Sequence, residues 1–176
     1  MNPLWINIFH KKLEEESIAY FLGSVSIFAD LDKRSRIQLE SLMHLRTYSA
    51  GEVIFEAGDP GSGMYIIRSG TVQIYNRSVK NREIILAQLG LKEFFGETTL
   101  AAPSKRTASA RASEPTVLIG LFRADINELA KRNPSVAYKI ILSLSRVVSE
   151  RLHVSDQLMN DLRLKHPDLF STESST

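Results

Sequence analysis

Residues 95–108 read Phe-Gly-Glu-Thr-Thr-Leu-Ala-Ala-Pro-Ser-Lys-Arg-Thr-Ala. Gly96 suits a place where the backbone must approach another group closely. Glu97 offers acceptor oxygens that suit a sugar hydroxyl, and Arg106 offers a planar pair of donors that suits a phosphate. Thr107 adds a hydroxyl, and a helix start in the turn would aim backbone N–H groups at an anion. The set describes a sugar-phosphate ligand, although composition alone favours a surface Glu–Arg pair beside a turn.

Short apolar runs separated by glycines surround this segment between residues 46 and 122. One run alternates, with Val72 and Ile74 on the same face, as a half-buried strand does. Residues 58–61 read Gly-Asp-Pro-Gly and predict a turn, because proline presets φ and glycine accepts a positive φ. Evenly spaced short strands with glycine turns predict a jelly roll or a barrel rather than alternating β and α units. The predicted strands are residues 53–55, 64–67, 72–75, 84–86 and 117–122.

Helical patterns stand on both sides of the strands. One helix is expected to begin after the N-cap Asp32, and a short helix is expected over residues 123–132, before Pro134. The helix after Asp32 would carry the apolar residues Ile37, Leu39, Leu42 and Met43. An amphipathic helix is expected at the N-terminus, where a cap and a proline precede apolar residues at every fourth position, namely Asn2, Pro3, Trp5, Phe9 and Leu13.

A long helix is expected from about Pro134 to Lys165, before Pro167. It has two apolar rows, and two apolar faces need two partners. One row holds Val136, Ile140, Leu144, Val147, Val154 and Leu158. The other has heptad spacing and holds Ile141, Val148, Leu152, Met159 and Leu162, with Ser155 in the same seam. The favoured interpretation places one row on the strands and the other on a second subunit; the alternative places both rows in one core.

Composition limits the chemistry that the chain can perform. The 176 residues fit one domain with extensions, and 22 basic against 20 acidic residues argue against broad nucleic-acid binding. The chain has no cysteine, which excludes disulfides and thiolate chemistry. With no long apolar run and no signal peptide, a cytoplasmic location is expected. The histidines show no metal-ligand spacing: His10, His44, His153 and His166.

The segment at residues 95–108 resembles the phosphate-binding cassette of cyclic-nucleotide-binding domains. That cassette reads Phe-Gly-Glu, two small or apolar residues and Leu, then Arg, a small residue and Ala, and this chain aligns with its eukaryotic form without a gap. Residues 51–59 and 64–72 look like the family's first hairpins, and residues 28–31 like its entry into the first helix. Residues 133–134 and 150–155 are similar to the long helix of the bacterial catabolite-activator group. The resemblance implies a jelly roll with N-terminal helices and a long C-terminal helix.

The resemblance also implies roles for individual residues. Glu97 would accept the ribose 2′-hydroxyl, and Arg106 would pair with the cyclic phosphate. Thr107 lies where hydroxyl residues of the family aid cGMP binding. Ser155 and Asp156 fall where the catabolite-activator helix meets the base, partly across a dimer. The whole predicted site comprises Gly96, Glu97, Thr98, Thr99, Arg106, Thr107, Ala108, Ser155 and Asp156.

The function implied is that of a sensor domain, which binds cAMP or cGMP without a further cofactor and performs no chemistry on it. It would signal to an unknown partner by shifting the long helix, as a homodimer. Lys105 and the pair Thr98-Thr99 depart from the usual cassette, but neither change removes a charged contact. The alternative is a degenerate jelly roll that binds no nucleotide and serves as a protein-interaction module. A cupin-like enzyme would need a metal cluster, and no histidine occurs between His44 and His153.

The predicted organisation has three parts. Residues 1–22 would form a helical extension, residues 23–165 the nucleotide-binding domain with its roll at about 46–122, and residues 166–176 a flexible tail. Related bacterial regulators carry a helix-turn-helix after the long helix, for which this sequence leaves no room. We therefore expect no DNA binding by this chain alone.

Overall fold

Helices stand at both ends of a body built from short strands. A computed structural model describes residues 17–100 and 102–169. The predicted N-terminal helix around Trp5 lies outside the described residues, as does the predicted tail from residue 170 onward. The described helices are α1 (Ile18–Leu22), α2 (Lys33–Glu40), α3 (Arg123–Arg132) and α4 (Pro134–Lys165), with 3₁₀ turns at Ser26–Phe28, Glu97–Thr99 and Pro167–Leu169.

The strands of the described residues form two four-stranded antiparallel sheets and a two-stranded ladder. The first sheet has the order β1-β10-β4-β7, the second β2-β9-β5-β6, and the ladder pairs β3 with β8. Their bounds are β1 His44–Tyr48, β2 Val53–Phe55, β3 Pro60–Gly61, β4 Gly63–Ser69, β5 Val72–Arg77, β6 Glu83–Leu89, β7 Phe94–Phe95, β8 Ser104–Lys105, β9 Ser109–Ala112 and β10 Thr116–Phe122.

The two central strands of the first sheet, β4 and β10, are largely buried, whereas the edge strand β1 is mostly exposed. Met64 and Ile66 of β4 pack with the helices in one apolar cluster. Ile67 of the same strand packs with Val72 and Ala110 of the second sheet in another cluster. The two sheets therefore form a sandwich, which is the predicted jelly roll, with the helices outside its first sheet. A strand covered on both faces reads as a continuous apolar run, as residues 64–67 do.

Helix boundaries follow the predicted capping signals. Asp32 Oδ1 accepts a hydrogen bond from the Ser35 N–H at 2.7 Å and caps α2. The prediction that α2 carries Leu42 and Met43 is wrong, because the helix ends at Glu40, although both residues still pack on the core. The predicted bounds of α3 and α4 agree with the structure.

The long helix α4 leaves the body of the protein about halfway along its length. Val136, Ile140 and Leu144 are buried, whereas Leu152 and Leu158 are each 60% exposed. The alternative in which both apolar rows lie in one core is therefore wrong for the second half of α4. The favoured interpretation, which places the first row on the strands, is wrong there too, because Val154 and Leu158 of that row are 50% and 60% exposed. None of the described helices combines the length and apolar character needed to cross a membrane.

Candidate ligand-binding site

The turn between β7 and β8 depends on a glycine. Gly96 has a φ of +78° and precedes the 3₁₀ turn Glu97–Thr99. A side chain here would be strained, and its Cβ would lie 2.5 Å from Arg106 Nη1. The Arg106 backbone is fixed in turn, since its N–H donates to Asp59 O and its carbonyl accepts from the Gly58 N–H, each at 2.8 Å. These bonds hold Arg106 beside the glycine turn.

A cavity of about 390 Å³ opens beside this turn. Half of its lining comes from the turn and the residues after β8, namely Gly96, Glu97, Thr98, Arg106, Thr107 and Ala108. The apolar part of the lining comes from strands of both sheets, namely Phe55, Ile74, Ala87, Leu89 and Phe95. Arg151 of α4 completes the lining. The cavity thus combines a polar end with an apolar wall.

Arg106 is a buried cation surrounded by neutral acceptors. The residue is only 7% exposed. Nη1 donates to Gly63 O at 2.8 Å, to Thr99 Oγ1 at 3.0 Å and to Gly96 O at 3.1 Å. The guanidinium carbon lies 4.1 Å from the centre of the Phe55 ring. Among the described residues, no carboxylate lies within ion-pair distance of this guanidinium.

The electrostatics of Arg106 follow from that burial. Desolvation lowers the pKa of Arg106, while Tyr65, Asp59 and Glu97 oppose the shift at longer range. An arginine nevertheless stays charged at neutral pH. Burying a charge without a counter-ion is costly, and the cost is relieved when an anion arrives. The polar end of the cavity is therefore suited to an anionic group.

Glu97 is buried, at 8% exposed, but it is paired with the long helix rather than with Arg106. Its Oε1 accepts from Arg151 Nη1 at 2.8 Å. The Arg151 guanidinium also reaches the carbonyl of Phe94 at 3.4 Å, and its carbon lies 5.0 Å from the centre of the Phe94 ring. This pair is the polar link between the second half of α4 and the turn.

The structure gathers most of the predicted site residues around one cavity. Six of the nine contribute to its lining. Thr99 is outside the lining but touches Arg106 through its hydroxyl. Ser155 and Asp156 are exposed on α4 and outside the lining of a single chain. Their contact with a base therefore stays a prediction.

Sequence reasoning missed Arg151 and the apolar wall. Arg151 lies one helical turn before Ser155, within the segment at residues 150–155 that resembles the long helix of the catabolite-activator group. Its position on the same helix face as Ser155 is the signal that could have identified it. The wall residues Ile74 and Ala87 are opposite each other in the β5–β6 pairing, which only the register reveals. In the part of the chain that the structure describes, no cluster of three potential metal-ligating side chains occurs.

Comparisons with known proteins agree with this geometry. The chain is 39% identical over 110 residues to the cyclic AMP receptor protein of Thermus thermophilus, a match covering 62% of this chain and 51% of that protein. It is 32% identical to the cAMP-dependent protein kinase regulatory subunit of Dictyostelium discoideum, over 68% of this chain and 36% of that protein. The chain thus spans about half or less of these relatives.

Solved structures show the same fold. The crystal structure of the Thermus thermophilus catabolite activator protein superposes with a TM-score of 0.70 at 33% identity, covering 78% of this chain and 62% of the other. Residues 45–133 match the model of the cyclic nucleotide-binding domain. That match spans the roll, the glycine turn and α3, and the chain therefore belongs to the cyclic nucleotide-binding domain family.

Proposed function

We propose that the cavity binds a cyclic mononucleotide, cAMP or cGMP, and that the protein acts as a sensor of this ligand without altering it. The observation that carries the proposal is the buried guanidinium of Arg106, which lines the cavity without a carboxylate partner among the described residues. A cyclic phosphate would supply the missing negative charge. The names of the relatives, a cyclic AMP receptor protein and a cAMP-dependent kinase regulatory subunit, support the same ligand class.

The parts of a cyclic nucleotide match the parts of the cavity. The phosphate would meet Arg106 and the backbone N–H groups of Thr107 and Ala108. The ribose 2′-hydroxyl would donate to Glu97, and the base would lie against the apolar wall that includes Ile74 and Leu89. Stacking and apolar contacts accept either purine, so this wall does not select between adenine and guanine. Thr107, which is exposed and lines the cavity, adds a hydroxyl that can donate to the phosphate or to the edge of the base.

Arg151 offers a route from the ligand to the long helix. Its ion pair uses Oε1 of Glu97, and the second carboxylate oxygen has no hydrogen bond to the described residues. A ribose hydroxyl on that oxygen would leave the ion pair intact and would help to fix the carboxylate that α4 holds. Ligand binding would then favour the arrangement in which α4 is attached to the turn, because a ligand shifts an equilibrium toward the state that it binds better.

The exposed half of α4 is proposed to pair with the same half of a second chain. Val148, Leu152, Met159 and Leu162 repeat at heptad spacing and are each at least 37% exposed. Pairing of two such helices would cover the seam and bring Ser155 of each chain close to the other. Ser155 and Asp156 would then complete the binding site across the dimer.

The test is a competition titration of the full chain with cAMP, cGMP and a cyclic dinucleotide. We expect one cyclic mononucleotide to bind and Arg106→Ala to weaken that binding by about tenfold or more, which corresponds to about 1.4 kcal/mol. Arg146→Ala is the matched control, because Arg146 is an exposed arginine of α4 whose closest carboxylate contact is 3.9 Å long. Binding of none of the three ligands, or unchanged affinity after Arg106→Ala, contradicts the proposal.

A further inference from the structure

Thr99 contacts Arg106 from outside the cavity. The residue is 1% exposed and does not contribute to the cavity lining. Its hydroxyl oxygen accepts from Arg106 Nη1 at 3.0 Å. The same hydroxyl lies 3.2 Å from Gly63 O and 3.1 Å from Gly96 O, to one of which it donates its single proton. A ligand in the cavity would therefore meet Arg106 and not the side chain of Thr99.

The side chain of Thr99 fills the space beside Gly61, where a second side chain would not fit. A Cβ added at Gly61 would overlap the side-chain atoms of Thr99. The backbone N–H of Thr99 donates to Gly96 O at 3.3 Å, so it is already used within the turn. The threonine is thus fixed through its backbone and its side chain, and it presents its hydroxyl to the guanidinium.

The guanidinium is held on one edge and one face. Nη1 has two protons and three acceptors, so its capacity to donate is fully used. The ring of Phe55 covers one face at 4.1 Å. Nε and Nη2 have no hydrogen bonds to the described residues, and Arg106 lines the cavity. This leaves the Nε–Nη2 edge, which is one of the two edges that can bind a phosphate through two parallel hydrogen bonds.

We propose that Thr99 is a positioning residue, which holds Arg106 in the free protein so that its Nε–Nη2 edge is ready for the cyclic phosphate. The proposal rests on the proposed function for its ligand, but the positioning itself exists before any ligand binds. Without the hydroxyl, Nη1 keeps two carbonyl acceptors and loses the third, and the long side chain regains freedom. Ordering that side chain would then become part of the cost of binding.

The test uses two variants that keep the size of the side chain similar. Thr99→Val replaces the hydroxyl with a methyl group, and Thr99→Ser keeps the hydroxyl. Heteronuclear NOE of the Arg106 Nε–H group, assigned by the loss of its signal in Arg106→Lys, reports the order of the guanidinium without ligand. Arg146 provides the reference for a solvent-exposed arginine, since its side chain is 66% exposed.

We expect Thr99→Val to lower the Arg106 NOE toward that of Arg146 and to weaken binding of the cyclic mononucleotide by about twofold to threefold, which is less than one full net hydrogen bond because the two Nη1 protons keep the carbonyls of Gly63 and Gly96 as acceptors. Thr99→Ser should restore both. An unchanged Arg106 NOE in Thr99→Val overturns the proposal. A loss of affinity accompanied by an equal loss of order at other buried groups also overturns it, because the role of Thr99 is then structural. If the wild type binds no cyclic mononucleotide, the proposed function fails in its own titration, and the NOE of the free protein still decides whether Thr99 positions Arg106.

Discussion

At the scale of single residues, a buried cation and a buried carboxylate line one cavity without pairing with each other. Arg106 uses neutral acceptors, and Glu97 pairs with Arg151 instead. Had the two joined directly, Arg106 would already have a carboxylate partner and would attract an anionic ligand less. Their separation leaves the Arg106 guanidinium without a carboxylate partner and the second oxygen of Glu97 without a hydrogen bond among the described residues, which suits a molecule with a phosphate and a hydroxyl.

Glu97 provides a prediction in which the protein and the ligand are changed together. Glu97→Gln should weaken cAMP or cGMP binding by about tenfold, since a neutral amide oxygen is a poorer acceptor than a carboxylate. The 2′-deoxy ligand should bind the wild type with a similar loss, but the variant should discriminate little between the two ligands. Calorimetric titration of the four combinations gives the coupling.

Glu150→Gln is the control for this cycle, because Glu150 is an exposed carboxylate of α4 next to Arg151. It should leave all affinities unchanged. An equal preference for the 2′-hydroxyl in wild type and Glu97→Gln means that the carboxylate does not read the ribose.

At the scale of elements, the sequence predicted those with strong local signals. The helices α3 and α4 follow from caps and prolines, such as Asn133, whose side chain accepts from the Val136 N–H. The strands β2, β4, β5, β6 and β10 follow from apolar runs. Strand β9 was missed because Ser109, Ala110 and Ala112 are small and have weak strand preference, yet all three are buried between neighbours.

Half of the site could be predicted in the same way. The residues of the turn lie within 13 positions of one another, so a local motif identifies them. The contact between Glu97 and Arg151 spans 54 positions, and only the packing of α4 brings the two together. The environment of Arg106 likewise depends on Phe55 of β2 and Gly63 of β4, which are distant in the sequence. Long-range packing therefore decides what each predicted side chain can do.

The ion pair between Arg151 and the turn provides a prediction for α4. Arg151→Gln should reduce ligand affinity only by about twofold to fivefold, because the Arg151 side chain is 48% exposed and solvent screens its charge. It should, however, remove the ligand-dependent protection of amide hydrogens in residues 148–160. Hydrogen exchange followed by mass spectrometry, with and without the ligand, measures this protection.

Arg146→Gln is the matched variant, since it removes a guanidinium from the same helix without touching the cavity lining. It should leave both affinity and ligand-dependent protection as in the wild type. If Arg151→Gln retains the protection, α4 receives the signal by another route.

At the scale of the whole molecule, the two halves of α4 have different environments. Val136 and Ile140 are part of the core that the helices share with β4 and β10. Beyond Val148 each apolar side chain of α4 is at least 43% exposed. Arg151 attaches this half of the helix to the turn. Isolated helical turns are marginally stable in water, so this half of α4 gains most from a partner helix.

The final prediction concerns this exposed half and the number of chains in solution. We expect the full chain to form a dimer and the double variant Leu152→Glu/Met159→Glu to be a monomer, because two buried carboxylates in the seam would face those of the second chain. Light scattering after size-exclusion chromatography measures the mass directly. Gln157→Glu adds one negative charge on the opposite side of the heptad and should remain a dimer. A wild type that is monomeric with and without the cyclic mononucleotide contradicts the pairing, and Ser155 and Asp156 then have no base within reach across a subunit boundary.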